Sequence, residues 1–262
     1  LENGFVNFIG NPDTRIKEDY LRILRYLRFF LNYSKVPHNS QVIKTLRMNI
    51  GGILKLSKER LLDELKKLIK IEILEKLSKD KYSSELILMI FPELKNIKIF
   101  SKLNSYSKEL VKENDFIFLL SLIIIDETDN AEYFLYRFNL SKKDEKRLKI
   151  IDNFYKEKNN PKILKENNIN KFFYYNGKQA VLDILNYKIV NSKKIDENLI
   201  KLKKNFEKKT IPIMPINASL LMEKYNIPKG KKLGDKLKSI ELIWVENNFE
   251  ISDHQIDKIV NN

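Results

Sequence analysis

The 262-residue chain contains no cysteine. A disulfide framework and thiolate metal sites are therefore excluded. It has two histidines, His38 and His254, too few for a histidine-based zinc centre. Each is expected on the surface, and no metal is expected in this chain. Glycine and proline are scarce, with seven of each, and long helical patterns fill the space between them. The richest apolar run, "FIFLLSLIII" from Phe116 to Ile125, is far shorter than the roughly 20 residues of a membrane span. No signal peptide opens the chain. On this reading a soluble, cytoplasmic protein with no membrane partner is expected. Arginine is the last scarce residue: there are eight against 41 lysines.

The charge that is present is strongly positive, +14 in all. Such an excess favours polyanions, above all nucleic acid. It is uneven: residues 191–240 hold 13 Lys against five acids, whereas residues 241–262 hold one Lys and five acids. Heavy use of Lys, Asn and Ile, as in AT-rich genomes, accounts for much of the preference for lysine. It does not account for four of the eight arginines falling within residues 15–28.

Hydrophobic residues make up 43% of the chain, enough for a real core. The chain starts on Leu, and "GFVNFIGNP" reads as the end of a strand or turn entering a helix. Asn11-Pro12-Asp13 is a helix start. From it one helix is expected to run to about Tyr33, with Ile16, Tyr20, Ile23, Leu24, Leu27 and Leu31 as its apolar stripe. A second helix is expected over about Ser40 to Met48, ended by Gly51-Gly52. Ser57 caps a long amphipathic helix, "SKERLLDELKKLIKIEILEKL", with Leu61, Leu65, Leu68 and Ile69 on one face. "NDFIFLLSLIII" reads as a buried helix, and Ser141 and Ser252 open capping-box-like starts. No period-2 strand follows residue 10. The fold class is all-α. Four segments are expected: 1–12 at an entry junction, 13–95, 96–190, and a basic tail over 191–262.

Along the first helix, Arg15, Asp19, Arg22, Arg25 and Arg28 form one drifting polar stripe. Two readings fit the spacing. One is a solvated face with an ordinary ion pair between Asp19 and Arg22, worth about 0.2–0.5 kcal/mol. The other uses the flat arginine fork, which grips phosphate and base edges in two-pronged fashion. Asp19 would then offer an acceptor beside the Arg22 donors.

"FIGNPDTRIKEDYLRILRYLRF" resembles the head-to-neck junction of class II tRNA nucleotidyltransferases, the CCA-adding enzymes, and of the related bacterial poly(A) polymerases. The matching residues are Gly10, Asn11, Pro12, Arg15, Ile16, Glu18, Asp19, Leu21, Arg22, Leu24, Arg25, Arg28 and Phe29. The resemblance implies that Asp19 and Arg22 of the E-D-x-x-R motif read the base of incoming CTP or ATP. It implies that Arg25 and Arg28 line the nucleotide pocket. "LSKERLLDELKKLI" resembles the next neck motif, with Arg60 and Glu64 at its Arg-x-x-x-Glu positions. Their spacing suits a structural ion pair that, together with Glu18, supports the reading helix. "IPKGKKLGDKLKSIELIWVENNF" resembles the tail of bacterial members at Gly230, Leu233 and Gly234. Lys229, Lys231, Lys232 and Lys236 around them are candidates for phosphate contact with tRNA. Phe172, Phe173, Tyr174 and Tyr175 suit either base stacking or the core.

The family's catalytic head is a small α/β domain with Gly-Gly-x-x-Arg-Asp, Asp-x-Asp and Arg-Arg-Asp motifs. None of the three is present. Glu127 and Asp129 stand two apart but lack the preceding Gly-Ser context, and no catalytic residue is assigned to this chain. Mg²⁺ is expected only with the head, because the Asp-x-Asp carboxylates place it. The implied picture is neck, body and tail of a nucleotidyltransferase, with a catalytic head that is encoded separately, removed or lost. The alternatives are a poly(A) polymerase part and a non-catalytic RNA-binding protein.

Overall fold

The computed structural model describes residues 4–157, 164–192 and 194–261. Fifteen α-helices account for most of these residues, and no strand occurs among them. The helices are α1 Pro12–Glu18, α2 Arg22–Tyr33, α3 Ser40–Asn49, α4 Lys58–Leu68 and α5 Ile71–Leu77. They continue as α6 Lys81–Ile90, α7 Ser105–Lys112, α8 Phe116–Ile124, α9 Asn130–Arg137 and α10 Lys142–Lys156. The last five are α11 Glu166–Asn191, interrupted at Gly177 where the backbone is non-helical (φ 82°, ψ 174°), α12 Glu197–Lys208, α13 Ala218–Tyr225, α14 Lys231–Glu246 and α15 Asp253–Asn261. Short 3₁₀ turns cover Ile50–Lys55 and Ile97–Ser101. The chain divides into two compact units, Leu1–Glu157 with Asn186–Ile195, and Lys158–Leu185 with Asp196–Asn262.

Side-chain caps start many of these helices. Asn11 accepts the Thr14 N–H and Pro12 fills the first turn of α1, where proline's missing donor costs nothing. Ser57 and Ser141 cap α4 and α10. Ser252 and Gln255 form a reciprocal capping box ahead of α15, each side chain taking the other's backbone N–H. In the first unit α8 is buried from Ile117 to Ile124, as an all-round apolar segment must be. Residues 4–9 form no strand. They lie against α2: Gly4 O accepts from Lys35 N at 2.9 Å, and Phe8 stacks on Tyr26. The second unit packs around Leu221, Leu233, Ile240 and Ile256.

Two expected long helices are each broken. The first ends at Glu18, and Asp19 is extended at φ −153° and ψ 104°. Asp19 Oδ1 accepts from Leu21 N at 3.1 Å and its carbonyl accepts from Arg22 N, so aspartate's preference for capping wins over helix continuation. The second breaks at Ile69 and Lys70. At about 100° per residue, Leu74 and Leu77 would lie opposite Leu61, Leu65 and Leu68 on a continuous helix. The break lets both sets be buried.

His38 is not at the surface. Its side chain is 2% exposed, stacked on Phe30 and hydrogen-bonded to Tyr26 Oη, Asp80 and Ser83. Burial lowers its pKa against the pull of Asp80. His254 is exposed. Phe173 is core, while Tyr174 packs on Trp244 and Phe249 and donates to Glu241; only Tyr175 of that run is exposed.

Gly52 makes room for the ring of Tyr20, the residue after the Asp19 break. A Cβ there would stand 1.9 Å from the ring. Gly52→Ala should therefore lower unfolding free energy by about 1–3 kcal/mol, measured by urea denaturation. In a Tyr20→Ala background the same substitution should cost almost nothing. An equal cost in both backgrounds would show that the ring is not what Gly52 accommodates.

Candidate nucleotide-binding site

The break at Asp19 places three carboxylates among the clustered arginines of the first unit. Glu18 pairs with Arg15 at 2.6 Å and with Arg22. Arg22 also donates to the carbonyl of Arg15 at 2.6 Å. Asp19 takes Arg60 Nη2 on both oxygens at 3.1 Å, and Arg25 lies 3.6 Å away. Glu64, 2% exposed, takes Arg28 at 3.2 Å and Lys67 at 2.8 Å, with Arg25 at 3.6 Å. Burial pushes the Glu64 carboxyl up, but hydrogen bonds and charge from Lys67 and Arg28 outweigh it and hold its pKa below the ordinary value.

This pattern corrects two pairings. Asp19 and Arg22 do not bridge, because the helix break turns Asp19 toward Arg60 while Arg22 returns to Glu18. Arg60 and Glu64 do not bridge either, because Glu64 points into the packed side of α4 and meets α2. Spacing alone favoured the local partners, i,i+3 for Asp19 and i,i+4 for Arg60. The cross-helix partners lie 36 and 41 residues apart, and no local signal encodes them.

Six cations, Arg15, Arg22, Arg25, Arg28, Arg60 and Lys67, thus surround three carboxylates. The excess suits an anion, and the carboxylates fix the forks in place. Beside them lies a cleft of about 390 Å³ between residues 5–9 and α2. Arg15, Arg22 and Arg25 line it, together with Tyr26, Phe29 and Tyr33. Phe29 and Tyr33 stack on each other and are about half exposed, offering an aromatic edge. Asp19 and Arg28 are not among the lining residues. The N-terminal wall of this cleft carries no sequence motif and is visible only in the fold.

In the second unit, Lys229, Lys231 and Lys232 are exposed at the start of α14. Lys236 differs: its ammonium donates to the carbonyl of Ile259 at 2.7 Å, tying α14 to α15. Among the described residues no group of three or more His, Cys, Asp or Glu is arranged to hold a metal. No described helix is long and apolar enough to cross a membrane.

No family model matches the chain. Known proteins do. The mitochondrial CCA tRNA nucleotidyltransferase 1 of Danio rerio is 42% identical over 71 residues, 26% of this chain and 16% of that protein. The CCA-adding enzyme of Staphylococcus aureus strain Newman is 26% identical over 282 aligned positions, covering 100% of this chain and 65% of the enzyme. The chain therefore spans less than two thirds of these relatives' length. Among solved structures, the Bacillus stearothermophilus CCA-adding enzyme in complex with CTP shares the fold, with a TM-score of 0.65 and 17% identity. That match covers 99% of this chain and 65% of that one. A CCA-adding enzyme in complex with ATP matches with a TM-score of 0.54 over 95% of this chain and 60% of its own.

Glu64 is the carboxylate most deeply engaged, so Glu64→Gln should cost about 1–3 kcal/mol of stability at neutral pH. A carboxyl with a lowered folded pKa contributes fully above its ordinary value of 4.5 and loses that contribution as pH falls through the lowered value. The gap between wild type and variant, read by chemical denaturation, should therefore narrow from pH 7 towards pH 3. A constant gap would remove Glu64 from the charge network.

Proposed function

We propose that this chain, a member of the class II CCA-adding nucleotidyltransferase family, selects the nucleotide and grips the tRNA during addition of CMP and AMP to the tRNA 3′ end. The observation that carries the reading is the helix break at Asp19, which separates the carboxylate from Arg22 and leaves them paired to different partners. A carboxylate has about four lone-pair directions. Leu21 N–H and Arg60 occupy part of them, and Oδ2 keeps acceptor capacity for an amino group. Arg22, held by Glu18 at the cleft wall, supplies the donor.

Cytosine and adenine each present an amino donor next to a ring-nitrogen acceptor. Asp19 accepts from the first and Arg22 donates to the second. Uracil and guanine present the opposite order, which sets carbonyl oxygen against carboxylate. Each mispaired desolvated group costs on the order of 1–3 kcal/mol. Arg15 and Arg25 at the cleft wall suit the triphosphate, and Phe29 or Tyr33 suits the base face. Arg28 holds its neighbours in place through Glu64 and contributes positive field to the pocket. Lys229, Lys231 and Lys232 suit tRNA phosphates, with Lys236 fixing the helix that carries them.

Phosphoryl transfer needs carboxylates that place Mg²⁺ at the attacking 3′-hydroxyl and the leaving pyrophosphate. Residues 1–262 hold no Asp-x-Asp pair, so that chemistry belongs to a head domain outside them. Segments 13–95, 96–190 and 191–262 would serve as neck, body and tail after the junction at 1–12, in a cytoplasmic enzyme.

With a catalytic head domain present, Asp19→Ala should relax discrimination against UTP and GTP by about ten- to a hundredfold, measured as kcat/KM ratios against CTP and ATP. A uniform slowing of all four nucleotides would reduce Asp19 to a helix cap.

A further inference from the structure

Residues 5–9 line the cleft together with Arg22, Arg25 and Tyr26, yet they belong to no helix or strand. Their place is set by contacts with α2 and the residues after it. Gly4 O accepts from Lys35 N at 2.9 Å and from Ser34 Oγ at 3.3 Å. Phe8 stacks on Tyr26 with ring centres 5.3 Å apart and planes 10° from parallel. The Tyr26 ring is therefore the seat on which this wall rests, and whatever holds the ring shapes the cleft.

Tyr26 is 4% exposed, and its hydroxyl meets His38 Nδ1 at 3.2 Å. The other ring nitrogen of His38, Nε2, lies 3.0 Å from Asp80 Oδ2 and 3.0 Å from Ser83 Oγ. Asp80 caps α6 by accepting from Ser83 N at 2.7 Å. Burial pushes the Asp80 carboxyl up, but bonds from Ser83 and His38 outweigh it and hold its pKa below the ordinary value. An ionised carboxylate only accepts, so Nε2 carries the ring proton and Nδ1 is left as an acceptor. Burial lowers the His38 pKa and keeps the ring neutral. Burial also pushes the Tyr26 phenol up to about 12, so its proton stays in place to donate. The direction of both bonds is thus fixed: Tyr26 donates to His38, and His38 donates to Asp80.

We propose that His38 is a positioning residue for the cleft: its Nδ1 holds the Tyr26 phenol, and Tyr26 seats Phe8 and the 5–9 wall where the nucleotide binds. The consequence for nucleotides rests on the role proposed above for this cleft, whereas the hold on the wall does not. A merely structural histidine would act through its other nitrogen, tying the residues before α3 to α6 at Asp80. The two roles separate because each nitrogen has its own mimic. Asn carries an acceptor oxygen near the place of Nδ1, and Gln carries a donor nitrogen near the place of Nε2. His38→Asn keeps the partner of Tyr26 and gives up Asp80, while His38→Gln does the reverse.

The test compares the 262-residue chain with His38→Asn, His38→Gln and Tyr26→Phe. One readout is hydrogen exchange of the Lys35 amide by NMR, since its acceptor is Gly4 O at the foot of the wall. The other is CTP affinity by calorimetric titration. In His38→Gln and Tyr26→Phe the Lys35 amide should exchange faster by about threefold or more, and CTP affinity should fall by a similar factor. His38→Asn should stay near wild type in both. Tyr26→Phe keeps the ring, so it gives the reading in a chain that folds should the His38 variants not. Exchange at the wild-type rate in Tyr26→Phe, a greater loss in His38→Asn than in His38→Gln, or equal CTP affinity in all four proteins would each overturn the proposal. Faster exchange in His38→Gln and Tyr26→Phe, with CTP bound by none of the four, would uphold the hold of His38 on the wall and overturn the nucleotide reading alone.

Discussion

The Asp19 carboxylate takes the Leu21 N–H and the Arg60 guanidinium together, and the arrangement of the arginine cluster follows from that. An aspartate inside a helix would point along the helix face and bridge to the next arginine. Extended backbone at Asp19 ends α1 and lets α2 begin at Arg22, and the turn hands Arg22 back to Glu18. Each arginine of the cluster then has a fixed carboxylate partner. A fork held in this way loses little further freedom when it meets a ligand, which is the physical meaning of preorganisation.

The support beneath the cluster is ordinary packing. Gly52 lets the Tyr20 ring settle next to the break. Glu64 is buried against α2 and anchors Arg28 and Lys67. Isolated from water, such a carboxylate would be costly, and it is tolerated because its oxygens meet cations. The excess of positive charge that remains faces the cleft beside Phe29 and Tyr33. That positive field beside two half-exposed rings is what the proposed nucleotide role requires.

Much of this was legible in the sequence. Asn11, Ser57, Ser141 and Ser252 announced their helices because capping is a local interaction. The all-round apolar pattern of residues 116–125 announced a buried helix. The density of arginine between residues 15 and 28 marked the cluster itself. The break at Asp19 was not legible, since helical periodicity runs through it and the capping bonds of Asp19 override it; at Ile69-Lys70 the apolar stripe does change face, from Leu61, Leu65 and Leu68 to Leu74 and Leu77, and a single-helix reading passes over that shift. The partners of Arg60 and Glu64 were hidden, as they depend on how α2 and α4 meet. The burial of His38 was hidden too, because a single histidine carries no pattern and its surroundings come from Phe30, Tyr26 and Asp80 together.

The most direct test is the effect of Arg60 on nucleotide choice, since Arg60 touches Asp19 and is not among the residues lining the cleft. The measurement is the ratio of kcat/KM for CTP to that for UTP, with a catalytic head domain present, in wild type, Arg60→Ala and Arg60→Lys. Because one Arg60 nitrogen serves both Asp19 oxygens, a lysine ammonium can replace it. Base reading by an Asp19 held by Arg60 requires the ratio to fall by about tenfold or more in Arg60→Ala and to recover in Arg60→Lys. An unchanged ratio in Arg60→Ala, in a chain that still folds, would contradict it.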